Sequence, residues 1–366
     1  MANASQSEDL IVHLCQTSAT TVFLPVVYSI MFLTGMLGNV ISLWVFMRKI
    51  AFKTSTHIYL INLGISNLLL CLTMPFQAIY YSLGTKWYQH TTMCKASINV
   101  VTPVIHINIC ISVIIMSLVA FSRFLLLIQQ SHATRPSRWL QVLPRTLLSR
   151  KRDTKLASVL SLVIWMILVL TVTSWIVLYS VKEVKSIGEE VSNATCYSVA
   201  VEVGGEGSQV YCLVAVSLFF VFFLMVIGTY LAVMKHIWRS KKSTAFVDSQ
   251  RVHARVLRNI VIIKVVLVVC LMPHHIYKAI FVHILNERSL MSRTKACHPL
   301  SIYVEVKNLL LCLATLRCST DPVMYFLLDG TFRDNTLSLL RGHSAANDSQ
   351  TSNLSQLSQA KLCVIC

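Results

Sequence analysis

Seven stretches of predominantly apolar residues follow one another along the chain, at Val22–Met47, His57–Ser82, Cys94–Ile128, Leu156–Val181, Val210–His236, Asn259–His283 and Leu300–Leu328. A helix needs about 20 residues to cross the roughly 30 Å hydrocarbon layer, because every backbone N–H and C=O must be paired within the segment. Buried helices of a large soluble protein would instead carry a polar stripe at 3.6-residue spacing. The run CLVAVSLFFVFFLMVIG, from Cys212 to Gly228, has no such stripe. The pattern therefore predicts an all-α membrane protein, a seven-transmembrane helix bundle over 22–328. Beyond it, FLLDGTFRDNTLSLLR, from Phe326 to Arg341, keeps apolar residues at helical spacing. That suits a short interfacial eighth helix over about 329–341. Residues 342–366 are rich in Ser, Asn and Gln and read as a disordered cytoplasmic tail, and 1–21 as an extracellular N-terminal tail.

Composition agrees with lipid as solvent. Of 366 residues, 55% are hydrophobic and only 13% charged, about half the charged fraction of an ordinary soluble domain. The formal charge of +17 could suggest nucleic acid, but its distribution argues against that partner. Arg48, Lys49 and Lys53 follow the first stretch, and Arg135, Arg138, Arg145, Arg150, Lys151, Arg152 and Lys155 follow the third. Lys235, Arg239, Lys241, Lys242, Arg251, Arg255 and Arg258 lie between the fifth and sixth. Basic residues crowding alternate loops mark those loops as cytoplasmic, so the N-terminus, with Glu8, Asp9 and no Lys or Arg before Arg48, is expected outside. Two glycosylation sequons, at Asn3 and Asn193, fall on the same outer side, whereas those at Asn347 and Asn353 lie in the tail and should stay bare. The polar start MANASQSEDL has no apolar core, so the first stretch is expected to act as its own insertion signal. The expected address is the plasma membrane.

Of twelve cysteines, only Cys15, Cys94, Cys196 and Cys297 are placed to meet an oxidising compartment. A Cys94–Cys196 bond would pin the long outer loop over the bundle mouth, and Cys15 with Cys297 would tie the N-terminal tail to the last outer loop. Cysteines within the stretches, such as Cys110, Cys212 and Cys312, read as small apolar packers. Metal-ligand spacing is absent and no cofactor is expected. The chain ends Cys363-Val364-Ile365-Cys366, which fits the prenylation pattern with an unusual last residue, so Cys363 and Cys366 are candidates for lipidation that chance placement also explains.

Further residues fall in order: Gly38-Asn39-Val40, Leu63 through Asn67 with Pro75, Trp87, Ser122-Arg123-Phe124, Trp165, Tyr230, Pro273 and Asp321-Pro322-Val323-Met324-Tyr325. In this arrangement the chain, from about Val22 to Leu340, resembles the class A (rhodopsin-like) G-protein-coupled receptors. Pro273-His274-His275-Ile276-Tyr277-Lys278, and Asp321 in place of Asn, resemble the purinergic-receptor-like branch. The resemblance implies a heterotrimeric G protein as cytoplasmic partner and an extracellular ligand. It also implies that Arg123, Tyr230, Asp321, Tyr325 and Asn67 serve coupling and activation. Family members commonly carry Asp where Asn67 stands and Asn where Asp321 stands, and the pair helps hold a sodium ion. With the carboxylate moved across, either a weakened sodium site or a plain Asn67–Asp321 hydrogen bond is expected.

Arg123 normally has an acidic neighbour, replaced here by Ser122, and the usual acidic partner in the sixth span reads as His253. Nothing in the sequence locks Arg123, and raised ligand-free signalling is the corresponding expectation. Leu271 stands where an aromatic toggle is usual and Phe222 where a proline is usual. Near the outer ends His275, Lys278 and Lys307 are the candidate ligand contacts. Two ammonium groups in a low-dielectric mouth attract anions, in keeping with an anionic nucleotide-like or lysophospholipid-like ligand. The third span has no Asp or Glu to meet an amine ligand, and Thr315 stands where a light receptor would need a lysine. A transporter would need a continuous polar path, and His106, Asn108 and Lys264 are too scattered to form one. An enzyme would need a clustered nucleophile, base and orienting partner, which the spans lack. A non-signalling partner or scaffold is the remaining alternative.

Overall fold

A computed structural model describes residues 14–84, 86–88, 91–132, 150–186, 196–197, 202, 206–240, 258, 261–287 and 298–340, with some side chains at helix ends outside that set. Among them are seven helices long and apolar enough to cross a membrane. We number these α1 (Ala19–Lys49), α2 (Ser55–Leu83), α3 (Thr92–Leu125), α4 (Arg150–Ser186), α5 (Glu206–Ser240), α6 (Val261–Leu285) and α7 (Ser301–Leu328). A short α8 (Gly330–Leu340) follows. The first seven match the seven apolar stretches, and α8 forms where helical spacing predicted it.

Local chemistry sets the ends. Thr54 caps α2 by accepting from the His57 backbone N–H at 3.4 Å, while the His57 ring returns to the Thr54 N–H, so two otherwise orphaned donors are satisfied. Thr91 caps the start of α3 through the Cys94 N–H. Asp329 ends α7 in an extended conformation and caps α8 by accepting from the Phe332 N–H at 3.0 Å. In α6 a π-helical turn, Leu267–Leu271, immediately precedes Pro273, whose missing N–H and ring disrupt the regular ladder. Another π turn, at Ser97–Val101, takes up one residue within α3.

The helices pack as neighbours around a central α3, with α1 against α2 and α7, α3 against α2, α4 and α5, and α6 between α5 and α7. Their outward faces carry large apolar side chains such as Leu33, Leu37, Leu162, Leu170, Val221 and Leu224, more than half exposed, as suits lipid contact. Small residues let α1 approach its neighbours. A Cβ on Gly38 would stand 2.8 Å from Pro322 Cγ on α7, and one on Gly35 would stand 2.6 Å from Cys71 Sγ on α2. Phe46 stacks on Phe332 at 4.7 Å and meets the edge of Tyr325 at 5.7 Å, which seats α8 under α1 and α7.

Gly38→Val is expected to cost about 1–3 kcal/mol, because Pro322 sits in a backbone that cannot yield. Gly228→Ala, where a Cβ meets nothing within 4 Å, serves as the control and should melt at the wild-type temperature or slightly above it. Thermal unfolding of the two purified variants checks this, and equal losses would contradict the packing described.

Candidate functional site

At the end carrying the α2–α3 turn, Cys94 and Cys196 form a disulfide. The Cys196 N–H donates to the Trp87 carbonyl at 2.7 Å and the Tyr197 N–H to the Gly84 carbonyl at 3.2 Å, so the segment after α4 is stitched onto the α2–α3 turn. Burial, reinforced by the nearby Glu202 and Glu305 carboxylates, pushes the Tyr197 phenol well above its ordinary value and keeps it protonated. The second expected bond is met from one side: Cys15 is disulfide-bonded, and Cys297 lies outside the described residues. Cys15 N–H donates to Ser301 Oγ at 3.0 Å, and Glu305 accepts from the Thr17 N–H at 2.6 Å and the Thr20 hydroxyl at 3.0 Å, which fastens the N-terminal segment to α7.

Lys307 belongs to this end, where an acidic side chain meets it. Its ammonium lies 2.7 Å from the Glu202 carboxylate and donates to the Glu202 carbonyl, also at 2.7 Å. Tyr80 donates to the same carboxylate at 2.5 Å and Asn308 at 3.3 Å. Deeper in, Lys278 is only 9% exposed, and His275, 3% exposed, lies flat against Phe219 with ring centroids 4.1 Å apart. Neither His275 ring nitrogen has a hydrogen-bond partner among the described residues. The Lys307 ammonium lies 5.8 Å from the centre of the Phe281 ring of α6, and Lys278 stands about one helical turn before Phe281, so the two lysines share one region of the bundle.

Midway along the bundle a polar cluster forms that the sequence foreshadows only in part. Asn67 donates to Asp321 Oδ2 at 2.7 Å, the plain hydrogen bond of the two alternatives, and also reaches Asn39 Oδ1 at 3.2 Å and Tyr325 at 3.4 Å. Asn39 in turn donates to the Gly35 and Cys318 carbonyls, both at 2.8 Å. The residue that sequence reasoning missed is Arg317. It is fully buried, pairs with Asp321 one helical turn away, and donates through Nη2 to Asn108 Oδ1 at 2.8 Å and Asn67 Oδ1 at 3.3 Å. Its signal was available: an arginine four residues before an acid inside an apolar span. The residues present do not fit a sodium ion, because the oxygens that would ligate one already face a guanidinium.

At the opposite end the structure corrects the expectation that nothing holds Arg123. Arg123 Nη2 lies 3.5 Å from Asp329 Oδ2, an ion pair closed by an acid from beyond α7 and not by a sequence neighbour. The same oxygen meets His57 Nε2 at 2.7 Å. Because His57 Nδ1 accepts from the Thr54 N–H, at 3.3 Å, Nε2 carries the proton and donates to Asp329. Ser122, in the usual acidic place, shares a 3.3 Å hydrogen bond with Thr56. Burial alone would raise the Asp329 carboxyl, but the hydrogen bond from His57, the Phe332 N–H and the Arg123 guanidinium together hold it below its ordinary value. Tyr230, the remaining coupling candidate, sits beneath the Lys264 ammonium at 5.1 Å. Asn3, Asn193, Cys363, Cys366 and the basic residues of 133–149 and 241–257 lie outside the described residues.

Comparison with known proteins agrees with this layout. Residues 38–325 match the family model of the seven-transmembrane receptors of the rhodopsin family. The chain is 34% identical over 322 residues to the probable G-protein coupled receptor 82 of Mus musculus, covering 88% of this chain and 95% of that protein. Against the Homo sapiens protein of the same name it is 33% identical over 325 residues, covering 88% and 94%. To the probable G-protein coupled receptor 34 of Pan troglodytes it is 26% identical over 315 residues, covering 86% and 74%.

Asp329→Asn removes a charge that serves two helices and is expected to cost about 2 kcal/mol at neutral pH. The Asp329 pKa is lower in the folded state than in the unfolded one, so its contribution is fully present above the unfolded value. It is lost as pH falls through the folded value. Melting of wild type and variant should therefore differ by a constant amount at neutral pH and converge in acid below the carboxylate range. A difference that grew with acidity would contradict the pairing.

Proposed function

The chain belongs to the rhodopsin family of seven-transmembrane receptors, and from that premise we propose a receptor of the plasma membrane that answers an anionic extracellular ligand through a cytoplasmic G protein. The N-terminus, the Cys94–Cys196 disulfide and Lys307 face outward in this reading, and Arg123 and α8 face the cytoplasm. The excess of Lys and Arg in the loops at the Arg123 end supports that orientation. Sequons at Asn3 and Asn193 fall on the outer side.

The observation that carries the ligand class is the Lys307–Glu202 contact. The Glu202 carboxylate rests on that ammonium at 2.7 Å, and in this reading a ligand anion takes its place. Lys278 and His275 extend the same region inward, and both His275 ring nitrogens are buried there without a hydrogen-bond partner among the described residues. Phosphate or carboxylate on a nucleotide-like or lysophospholipid-like molecule fits this chemistry, with charge-assisted hydrogen bonds for affinity. Binding shifts the bundle only so far as the ligand prefers one packing over the other.

Asp329 gives the cytoplasmic end its resting state. A G protein can use Arg123 only after Arg123 leaves Asp329, and that tie replaces the one Ser122 cannot supply. The premise for raised ligand-free signalling thereby disappears, and low basal activity is expected. The interfacial position of α8 follows the same reading, with its buried Phe332 toward the bundle.

Two measurements test this. Asp329→Ala should raise basal second-messenger output several-fold over wild type in transfected cells, and Asp329→Ala combined with Arg123→Ala should return it to background. An unchanged Asp329→Ala signal would remove the proposed lock. Separately, a nucleoside diphosphate and lysophosphatidic acid serve as anionic probes, with the parent nucleoside and a monoacylglycerol as neutral ones. An anionic probe should elicit a response that Lys278→Ala weakens by roughly tenfold to a hundredfold, about 1.4–2.8 kcal/mol. Activation by a neutral probe with no dependence on Lys278 would overturn the ligand class.

A further inference from the structure

We infer that Arg317 is the resident cation of the bundle core: its guanidinium takes up the oxygen donors of α2, α3 and α7 that would otherwise ligate a monovalent metal ion, and so makes the receptor's packing independent of sodium. The inference concerns the middle of the bundle and is independent of which ligand binds at the disulfide end.

The geometry supports it in three ways. First, the donor set is that of a hard-cation site: one carboxylate, Asp321, with two amide oxygens, Asn67 Oδ1 and Asn108 Oδ1, contributed by three different helices. Second, all four side chains are buried, Arg317, Asp321 and Asn67 at 0% exposure and Asn108 at 1%, so no solvent competes for these oxygens. Third, the orientation of the amides is fixed from behind. Asn67 Nδ2 is committed to Asp321 and Asn39, and Asn108 Nδ2 to Ser66 Oγ at 2.9 Å and Asn67 Oδ1 at 3.3 Å. Both amides therefore turn their oxygens toward the guanidinium. They would present the same oxygens to any cation that replaced it.

A guanidinium differs from a metal ion in ways that matter here. It is permanently charged, and its planar fork bridges carboxylate and amide oxygens at once. It is also bonded to α7, so it cannot leave when the bundle repacks. A second cation brought among these oxygens would meet an unscreened positive charge in a low-dielectric interior. Removing Arg317 would leave Asp321 buried without its counter-charge, and Asp321 Oδ1, which has no hydrogen-bond partner among the described residues, would add a fourth oxygen. The vacated volume and the negative charge would then recruit a small cation from solution.

The test uses the purified full chain in lipid nanodiscs, melted in NaCl and in N-methyl-D-glucamine chloride at equal ionic strength. Wild type should melt at the same temperature in both. Arg317→Ala should melt lower than wild type in the organic salt and regain several degrees, saturably, as Na⁺ replaces it. Adding Asp321→Asn to that variant should abolish the gain. Arg317→Lys, which keeps the charge, should stay indifferent to Na⁺. A wild type stabilised by Na⁺ over the organic cation would overturn the inference, as would an Arg317→Ala variant that folds but ignores Na⁺. If Arg317→Ala cannot be purified, Arg317→Gln keeps most of the side-chain volume and carries the same expected gain and the same overturning result.

Discussion

A charge placed inside a lipid-embedded bundle must find its counter-charge there, since leaving it alone costs several kcal/mol and water is not at hand. Helix α7 is where this constraint concentrates. Along one helix it carries Glu305, Lys307, Arg317 and Asp321, and Asp329 follows at its end. Glu305 is met by the N-terminal segment, Lys307 by Glu202, Arg317 by Asn67 and Asn108 as well as Asp321, and Asp329 by His57 and Arg123. Pairing these groups therefore fixes where α2, α3, the segment after α4 and the N-terminal segment stand relative to α7.

The same pairing gives the molecule two ends joined by α7. Near the disulfide, Lys307 holds the Glu202 carboxylate; about midway, the Arg317–Asp321 pair ties α7 to α2 and α3; at the far end, Asp329 holds Arg123 and caps α8. The ligand proposed above would displace Glu202 and so change the charge balance at one end of α7. In the proposed reading a shift of α7 at that end reaches Asp329 along a helix that runs from Ser301 to Leu328 and carries Pro322 within it. The physical content of such coupling is a bundle with two packings that both ends bias, and not a chain of contacts as such.

Asp329 and Arg317 show where sequence reading stops. Ser122 in place of an acid removes one partner for Arg123, and by sequence alone that arginine looks unheld. The structure supplies the partner from 206 positions away, on a residue that reads as part of a helix boundary. Arg317 is the opposite case. Its spacing from Asp321 was legible as an i to i+4 pair, but an arginine in a span can equally extend toward the headgroups. Only the burial of its whole side chain against Asn67 and Asn108 decides that it stays in the core. Lys307 likewise read as a candidate ligand contact, with nothing in the chain to mark Glu202, 105 positions away, as its partner.

The amino-acid sequence by itself determined the number, order and approximate limits of the membrane helices, the cysteines that could pair and the α8 segment. Those features follow from apolar length and local spacing, which the chain carries in one dimension. Tertiary structure decided which charge answers which: Glu202 for Lys307, Asp329 for Arg123, Arg317 for the core oxygens. Electrostatic partners inside a membrane are selected by distance and desolvation in three dimensions, and residues far apart in the chain meet those terms as readily as neighbours do.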